Sequence, residues 1–155
     1  MGIVPKFSDG AITAKVQAFQ KRLEAATIFM LQALGESLVK YAKENHNYTD
    51  RTGNLTNSIG YVVVHNKKAI TFGGLNQPGK GSESGMKVAM KMADETLSAF
   101  SLIIVAGMNY AAYVEAKGYN VILPAELKAK SDFPAAMKRL TDMAKTKMSE
   151  IYGIN

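Results

Sequence analysis

From Val16 to Tyr41 the apolar side chains recur in steps of three and four. Val16, Phe19, Leu23, Ala26, Met30, Leu34, Leu38 and Tyr41 share one stripe, the pattern of an amphipathic helix. Ser8 and Asp9 are candidate N-caps, and Asn45-His46-Asn47 closes the run with residue types that favour turns. A helix from Ala11 to Glu44 rises ~1.5 Å per residue and is about 50 Å long. That exceeds the width of a domain built from 155 residues. Part of the helix is therefore expected to project or to pack on a neighbouring copy, which points to an oligomer. Residues 1–9, ahead of the stripe, are expected to be a flexible leader.

After residue 57 the period changes to two. Ser58 to His65 and Ala69 to Phe72 are β-rich runs separated by the polar Asn66-Lys67-Lys68, which predicts a hairpin. Residues 73–85 hold Gly, Pro and Ser in loop proportions and predict a mobile glycine-rich loop. Met86 to Ala99 predicts a helix with Met86, Met90, Ala93 and Leu97 on one face. Phe100 to Ala106 is the most hydrophobic stretch and predicts a central strand. A short helical turn follows through Tyr113 and Glu115, and Tyr119 to Ile122 predicts an edge strand. A last helix is expected from about Asp132, with Pro134 in its first turn and a stripe of Phe133, Met137, Leu140, Ala144, Met148 and Ile151. The sum is one α+β domain over residues 1–155. Its antiparallel sheet of three to four strands is flanked by the long N-terminal helix and the C-terminal helix, without the repeated βα alternation of a doubly wound sheet.

Composition excludes several classes. With 47% hydrophobic and 21% charged residues the chain is globular. No apolar run approaches a membrane span, and Met1 to Lys6 lacks the basic-then-apolar order of a signal peptide. The expectation is a cytoplasmic protein with no membrane partner. No cysteine is present, so neither disulfides nor thiolate metal sites arise. The net charge is +6, and residues 117–147 carry seven Lys/Arg against three acids. This permits a basic nucleic-acid-binding module as an alternative function, although no aromatic residues interleave with those lysines as stacking platforms require.

Catalytic chemistry is not apparent. Gly74-Leu75-Asn76-Gln77-Pro78-Gly79-Lys80-Gly81 opens like a phosphate-binding loop, but Gly81 stands where Ser or Thr should hold magnesium. The strand before it is a hairpin arm, not the parallel strand of a βαβ unit. His46 and His65 lie in different elements with no carboxylate at ligand spacing. No serine sits in a nucleophile elbow. Met86, Met90, Met92, Met137, Met143 and Met148 fall at helical spacing and are expected in the core. No enzyme activity, cofactor or metal is expected.

Two segments are more particular. Arg51-Thr52-Gly53-Asn54-Leu55-Thr56-Asn57-Ser58-Ile59 opens the first strand, with Gly53 at a turn needing a backbone angle that glycine adopts freely. Ala106-Gly107-Met108-Asn109-Tyr110-Ala111-Ala112-Tyr113-Val114-Glu115 closes the strand after the second helix. Together they resemble the tail-completion proteins of lambda-like long-tailed phages. The matching positions are Thr52, Gly53, Asn54, Leu55, Ser58, Ile59, Tyr110, Ala111, Tyr113, Val114 and Glu115. Ala116-Lys117-Gly118-Tyr119 departs from the Phe-Gly-Thr that commonly follows in that family, and residues 73–99 look like an insertion. The resemblance implies a non-enzymatic protein of the head-tail junction, a homo-oligomeric ring contacting neck or tail proteins, with a passing contact with DNA. It implies the host cytoplasm during assembly and then the virion. Arg51, Asn54, Tyr110, Tyr113 and Glu115 are the candidate subunit contacts, since Tyr and Arg concentrate interface energy.

Overall fold

The computed structural model describes residues 9–153. The elements are α1 (Asp9–Glu44), α2 (Asn54–Asn57), β1 (Ile59–His65), β2 (Lys68–Gly73), α3 (Lys80–Glu95), β3 (Phe100–Ala106), α4 (Ala111–Ala116) and α5 (Leu123–Tyr152). They form the expected α+β domain around an open antiparallel sheet of order β2-β1-β3. Asp9, the end of the expected leader, already belongs to α1; residues 1–8 lie outside the described residues.

β1, not β3, is the central strand. Its sequence carries apolar residues on both faces: Ile59, Tyr61 and Val63 pack toward α1, while Val62 and Val64 pack toward α3. A strand that is apolar on both faces needs cover on both, and α1 and α3 supply it. β3 has the more hydrophobic composition, yet it is an edge strand and mostly half-buried. Its Ile103 and Val105 lie under α3, and Phe100, Leu102 and Ile104 face α1. The β1–β2 connection is a two-residue turn, with Asn66 and Lys67 both at positive φ. That geometry matches the strand twist of a tight hairpin.

The glycine-rich segment is shorter as a loop than expected, because α3 begins at Lys80. Gly81, Ser82, Gly85, Ala89 and Ala93 form its buried face. Small residues let this helix sit close on the sheet, and the larger side chains point outward. Met90 and Met92 are exposed, as are Met137, Met143 and Met148 on α5, so the expected methionine core is not formed. The segment that the family resemblance sets apart as an insertion thus supplies one whole layer of the core.

Tyr119 to Ile122 is not a strand, and α5 starts at Leu123, well before Asp132. Pro124 fills the first turn, where a missing amide is harmless. Pro134 lies inside the helix instead. It is exposed, as is Lys130 four residues back, so water can satisfy the carbonyl that loses its helical partner. α5 runs antiparallel to α1: residues 126–133 lie near Leu34 and Leu38, and Ile151 lies near Ile12. The two long helices therefore solve the length problem of α1 jointly. Their stripes are only partly covered, because Phe133, Met137 and Met148 remain exposed.

α1 meets the sheet at Gly35, where an added Cβ would stand 2.6 Å from Cδ2 of the fully buried Tyr61 ring. The Tyr61 hydroxyl donates to Glu36 Oε1 at 2.8 Å. Burial foremost, then this bond and the nearby negative charge, pushes the hydroxyl well above the usual tyrosine range. Gly35→Ala weighs two effects against each other: about 1 kcal/mol gained in helix propensity and about 1–3 kcal/mol lost to overpacking. Because the ring is pinned, overpacking is expected to win, and urea unfolding of Gly35→Ala should show a net loss of stability.

Candidate functional site

The two patterned segments are about fifty residues apart in sequence, and the fold interlocks them at one end of the sheet. Ser58 is their meeting point and is fully buried. Its hydroxyl donates to the Leu55 carbonyl at 2.7 Å and accepts the Met108 amide at 3.3 Å. Its own carbonyl accepts the Gly107 amide at 3.1 Å. α3 closes over this joint. A Cβ on Gly85 would lie 2.6 Å from the Ser58 carbonyl oxygen, one on Gly107 would overlap the Gly85 backbone, and one on Gly81 would overlap the Asn54 carbonyl. Three glycines thus make room for three backbones to touch, and Ser82 Oγ donates to the Asn57 carbonyl at 3.2 Å across the same seam.

The turn before β1 is built as its composition indicated. Gly53 has φ 72°, a left-handed angle that favours glycine. The Asn54 amide donates to Thr52 Oγ1 at 3.3 Å. Asn54 is half-buried and opens α2, with its backbone beneath Gly81. Sequence reasoning missed two neighbours. Asp50 Oδ2 accepts the Thr56 amide at 2.7 Å, and the Tyr48 hydroxyl shares a 3.1 Å hydrogen bond with Thr56 Oγ1. His46 stacks on Tyr48 at 4.4 Å and its Nδ1–H donates to the Tyr48 carbonyl. The clue to Asp50 was its place in an Asp-Arg-Thr-Gly turn, since Asp commonly bonds backbone amides just ahead of it.

Glu115 has a specific structural task. Its Oε2 accepts the amides of Val121 and Ile122 at 3.0 and 2.8 Å, and Oε1 accepts the Leu123 amide at 3.0 Å. These are amides at the entry to α5, which have no helical acceptor, and a negative charge there also suits the helix dipole. Tyr119 to Ile122 joins no sheet because its amides are taken elsewhere: Tyr119 donates to the Val114 carbonyl, Asn120 to Asn47 Oδ1, and Val121 and Ile122 to Glu115.

Tyr48, Asp50, Tyr110 and Glu115 share this end of the molecule. Burial, ahead of the Asp50, Tyr110 and Glu115 charges, raises the Tyr48 hydroxyl above its ordinary range, with the Thr56 bond opposing. Burial and then Asp50 raise Tyr110 likewise. Around them stand side chains open to solvent. Tyr113 is 63% exposed and Lys117 lies 5.0 Å over its ring. Arg51 is exposed and enters none of the described ion pairs. Arg51, Tyr110 and Tyr113 are therefore positioned for contact, whereas Glu115 and Asn54 hold the scaffold beneath them.

The rest of the chain offers little reactive chemistry. His65 stacks on Phe100 at 4.2 Å and donates to the Ala99 carbonyl. Among the described residues no group of three His, Asp or Glu could hold a metal ion, and no helix is long and apolar enough to cross a membrane. The Gly74–Gly81 segment follows an antiparallel hairpin arm, and Gly81 is packed on Asn54, not open to a phosphate. On α5, Lys130 pairs with Glu126, Lys128 with Asp132 and Lys147 with Glu150, so its basic charge is partly balanced.

Glu115→Ala should unravel the entry to α5 and cost about 1–3 kcal/mol in urea unfolding, the penalty for leaving partly buried amides unpaired. Faster amide exchange should be confined at first to residues 121–123. Unchanged stability and exchange would remove Glu115 from the scaffold. No protein-family model, curated protein or solved structure matches this chain.

Proposed function

We propose that this chain is a structural protein of a phage or prophage head-tail junction, of the tail-completion type, acting in virion assembly. It works by protein contact, as a homo-oligomeric ring set against neck or tail proteins, in the host cytoplasm and then in the particle. The observation that carries this reading is the convergence of the two motif segments on Ser58. They share one end of the sheet, where Arg51, Tyr110 and Tyr113 stand exposed. Residues of the two segments divide into two groups there. Gly53, Leu55, Ser58 and Glu115 hold the joint, and Arg51, Tyr110 and Tyr113 offer the rigid aromatic and guanidinium groups on which interfaces concentrate their energy.

Arg51→Ala and Tyr113→Ala remove only solvent-exposed side chains, so each should change stability by no more than about 0.5 kcal/mol. In complementation of a phage lacking this protein, both variants should leave unjoined heads and tails. Normal particle yield from both folded variants would overturn the assignment of these residues. Full infectivity of particles made without the protein would overturn the assembly reading itself.

A further inference from the structure

The connection from β2 to α3 runs over residues 74–79, and very little holds it down. Gly74 has φ 77° and Gly79 has φ 123° with ψ 179°, two backbone conformations that other residues rarely adopt. Of the residues between them, Asn76, Gln77 and Pro78 are exposed. Among the described residues no amide from 75 to 79 donates a hydrogen bond. Open space flanks the strap, with a cleft of about 510 Å³ on the α1 side and one of about 710 Å³ beside the first turns of α3.

The strap is fastened from opposite faces of the sheet. On one face, Lys43 Nζ of α1 donates to the Gly74 carbonyl at 2.6 Å. On the other, Leu75 packs with Val62, Ala89 and their neighbours. Its isobutyl group fills the space that a Cβ on Gly60 of β1 or on Gly85 of α3 would need. One side chain thus plugs a slot made by two missing ones. The Lys43 amine is half-buried, and that burial, opposed by the Glu36 charge, holds it below the ordinary lysine range. Burial disfavours the charged form, so the group that fastens the strap gains hydration when it lets go.

We propose that residues 74–79 are a hinged latch, which swings out about Gly74 and Gly79 and withdraws Leu75 from the Gly60–Gly85 slot, with Lys43 as the catch that keeps it shut. The glycines that permit the closed turn also supply the rotational freedom for the swing. α3 stays docked meanwhile, because Gly81, Ser82 and Gly85 seat it on Asn54, Asn57 and Ser58 independently of the strap. The open latch uncovers an apolar slot one branched side chain wide, beside the start of β1 and at the same end of the sheet as Arg51. Access to that slot is controlled by α1 from the opposite face. A loop held by so few contacts belongs to the part of a fold that opens locally, on the microsecond-to-millisecond scale of loop gates.

The proposal rests on the geometry of the strap and not on the head-tail reading, and its test uses the isolated full chain. Relaxation dispersion reads this timescale. The Leu75 methyls and the amides of Gly60 and Gly85 should exchange with one shared rate and one minor population, while the Met108 and Ala93 amides give flat profiles. Lys43→Met keeps the aliphatic stem and removes the donor, and should raise the open population by about tenfold or more, the loss expected for a charge-assisted hydrogen bond. Gly79→Ala meets nothing within 4 Å, so it acts through the backbone angle alone, and it should raise the same population. Flat profiles at Leu75 in all three proteins, with its NOEs to Gly60 and Gly85 intact, overturn the proposal. So does exchange at Leu75 that Lys43→Met leaves unchanged, or exchange shared with Met108 and Ala93, which would be opening of the whole domain.

Discussion

The buried contact among Ser58, Gly107 and Gly85 is the constraint on which the rest of this structure depends. It joins the start of β1 to the end of β3 and brings the first turns of α3 down onto both. Side chains as small as a methyl are excluded at the glycine positions, since backbone atoms occupy that space. From this joint the chain leaves in two directions, back through α2 toward Tyr48 and on through Met108 to α4. α4 in turn carries Glu115, whose carboxylate starts α5. One serine and a few glycines thereby set the placement of both the exposed Arg51 and Tyr113 and the long C-terminal helix.

This chain of dependence separates residues that a motif alone would lump together. Glu115 and Tyr113 are two positions apart in the same segment. One spends its charge on three backbone amides and the other is largely open to solvent. Asn54 and Arg51 divide in the same way across Gly53. A substitution that abolishes function at Glu115 would say little about a partner, whereas one at Arg51 or Tyr113 with unchanged stability would speak to contact directly.

The parts of the fold that were legible in the sequence are those decided by local pattern. The stripe of α1, the hairpin with its polar turn and the left-handed angle at Gly53 all follow from residue spacing and backbone sterics. What was not legible depended on partners remote in sequence. β3 looked central because its composition is the more apolar, but strand order depends on which strand has both neighbours, and the double-sided burial of β1 is decided by α1 and α3 together. Tyr119 to Ile122 has strand-like composition, but Asn47, remote in sequence, takes the Asn120 amide, and the nearby Glu115 carboxylate takes those of Val121 and Ile122 into a helix entry. The glycines at 81 and 85 looked like loop residues because their value lies in what touches them. Of the candidate site, Arg51, Tyr110 and Tyr113 could be picked out as residue types and Asp50 by its place in the turn, but Tyr48 enters only through its contact with Thr56.

The most direct test of this account is native-state hydrogen exchange at the Met108 amide, which is held by Ser58 Oγ deep in the joint. If the joint organises the fold, that amide is released only by global unfolding. Its exchange free energy and denaturant dependence should then equal those from whole-molecule unfolding, and Ser58→Ala should lower the exchange and global unfolding free energies together with the denaturant dependence unchanged. Exchange of Met108 through a local opening that costs much less than global unfolding, with α3 and α5 still protected, would contradict it.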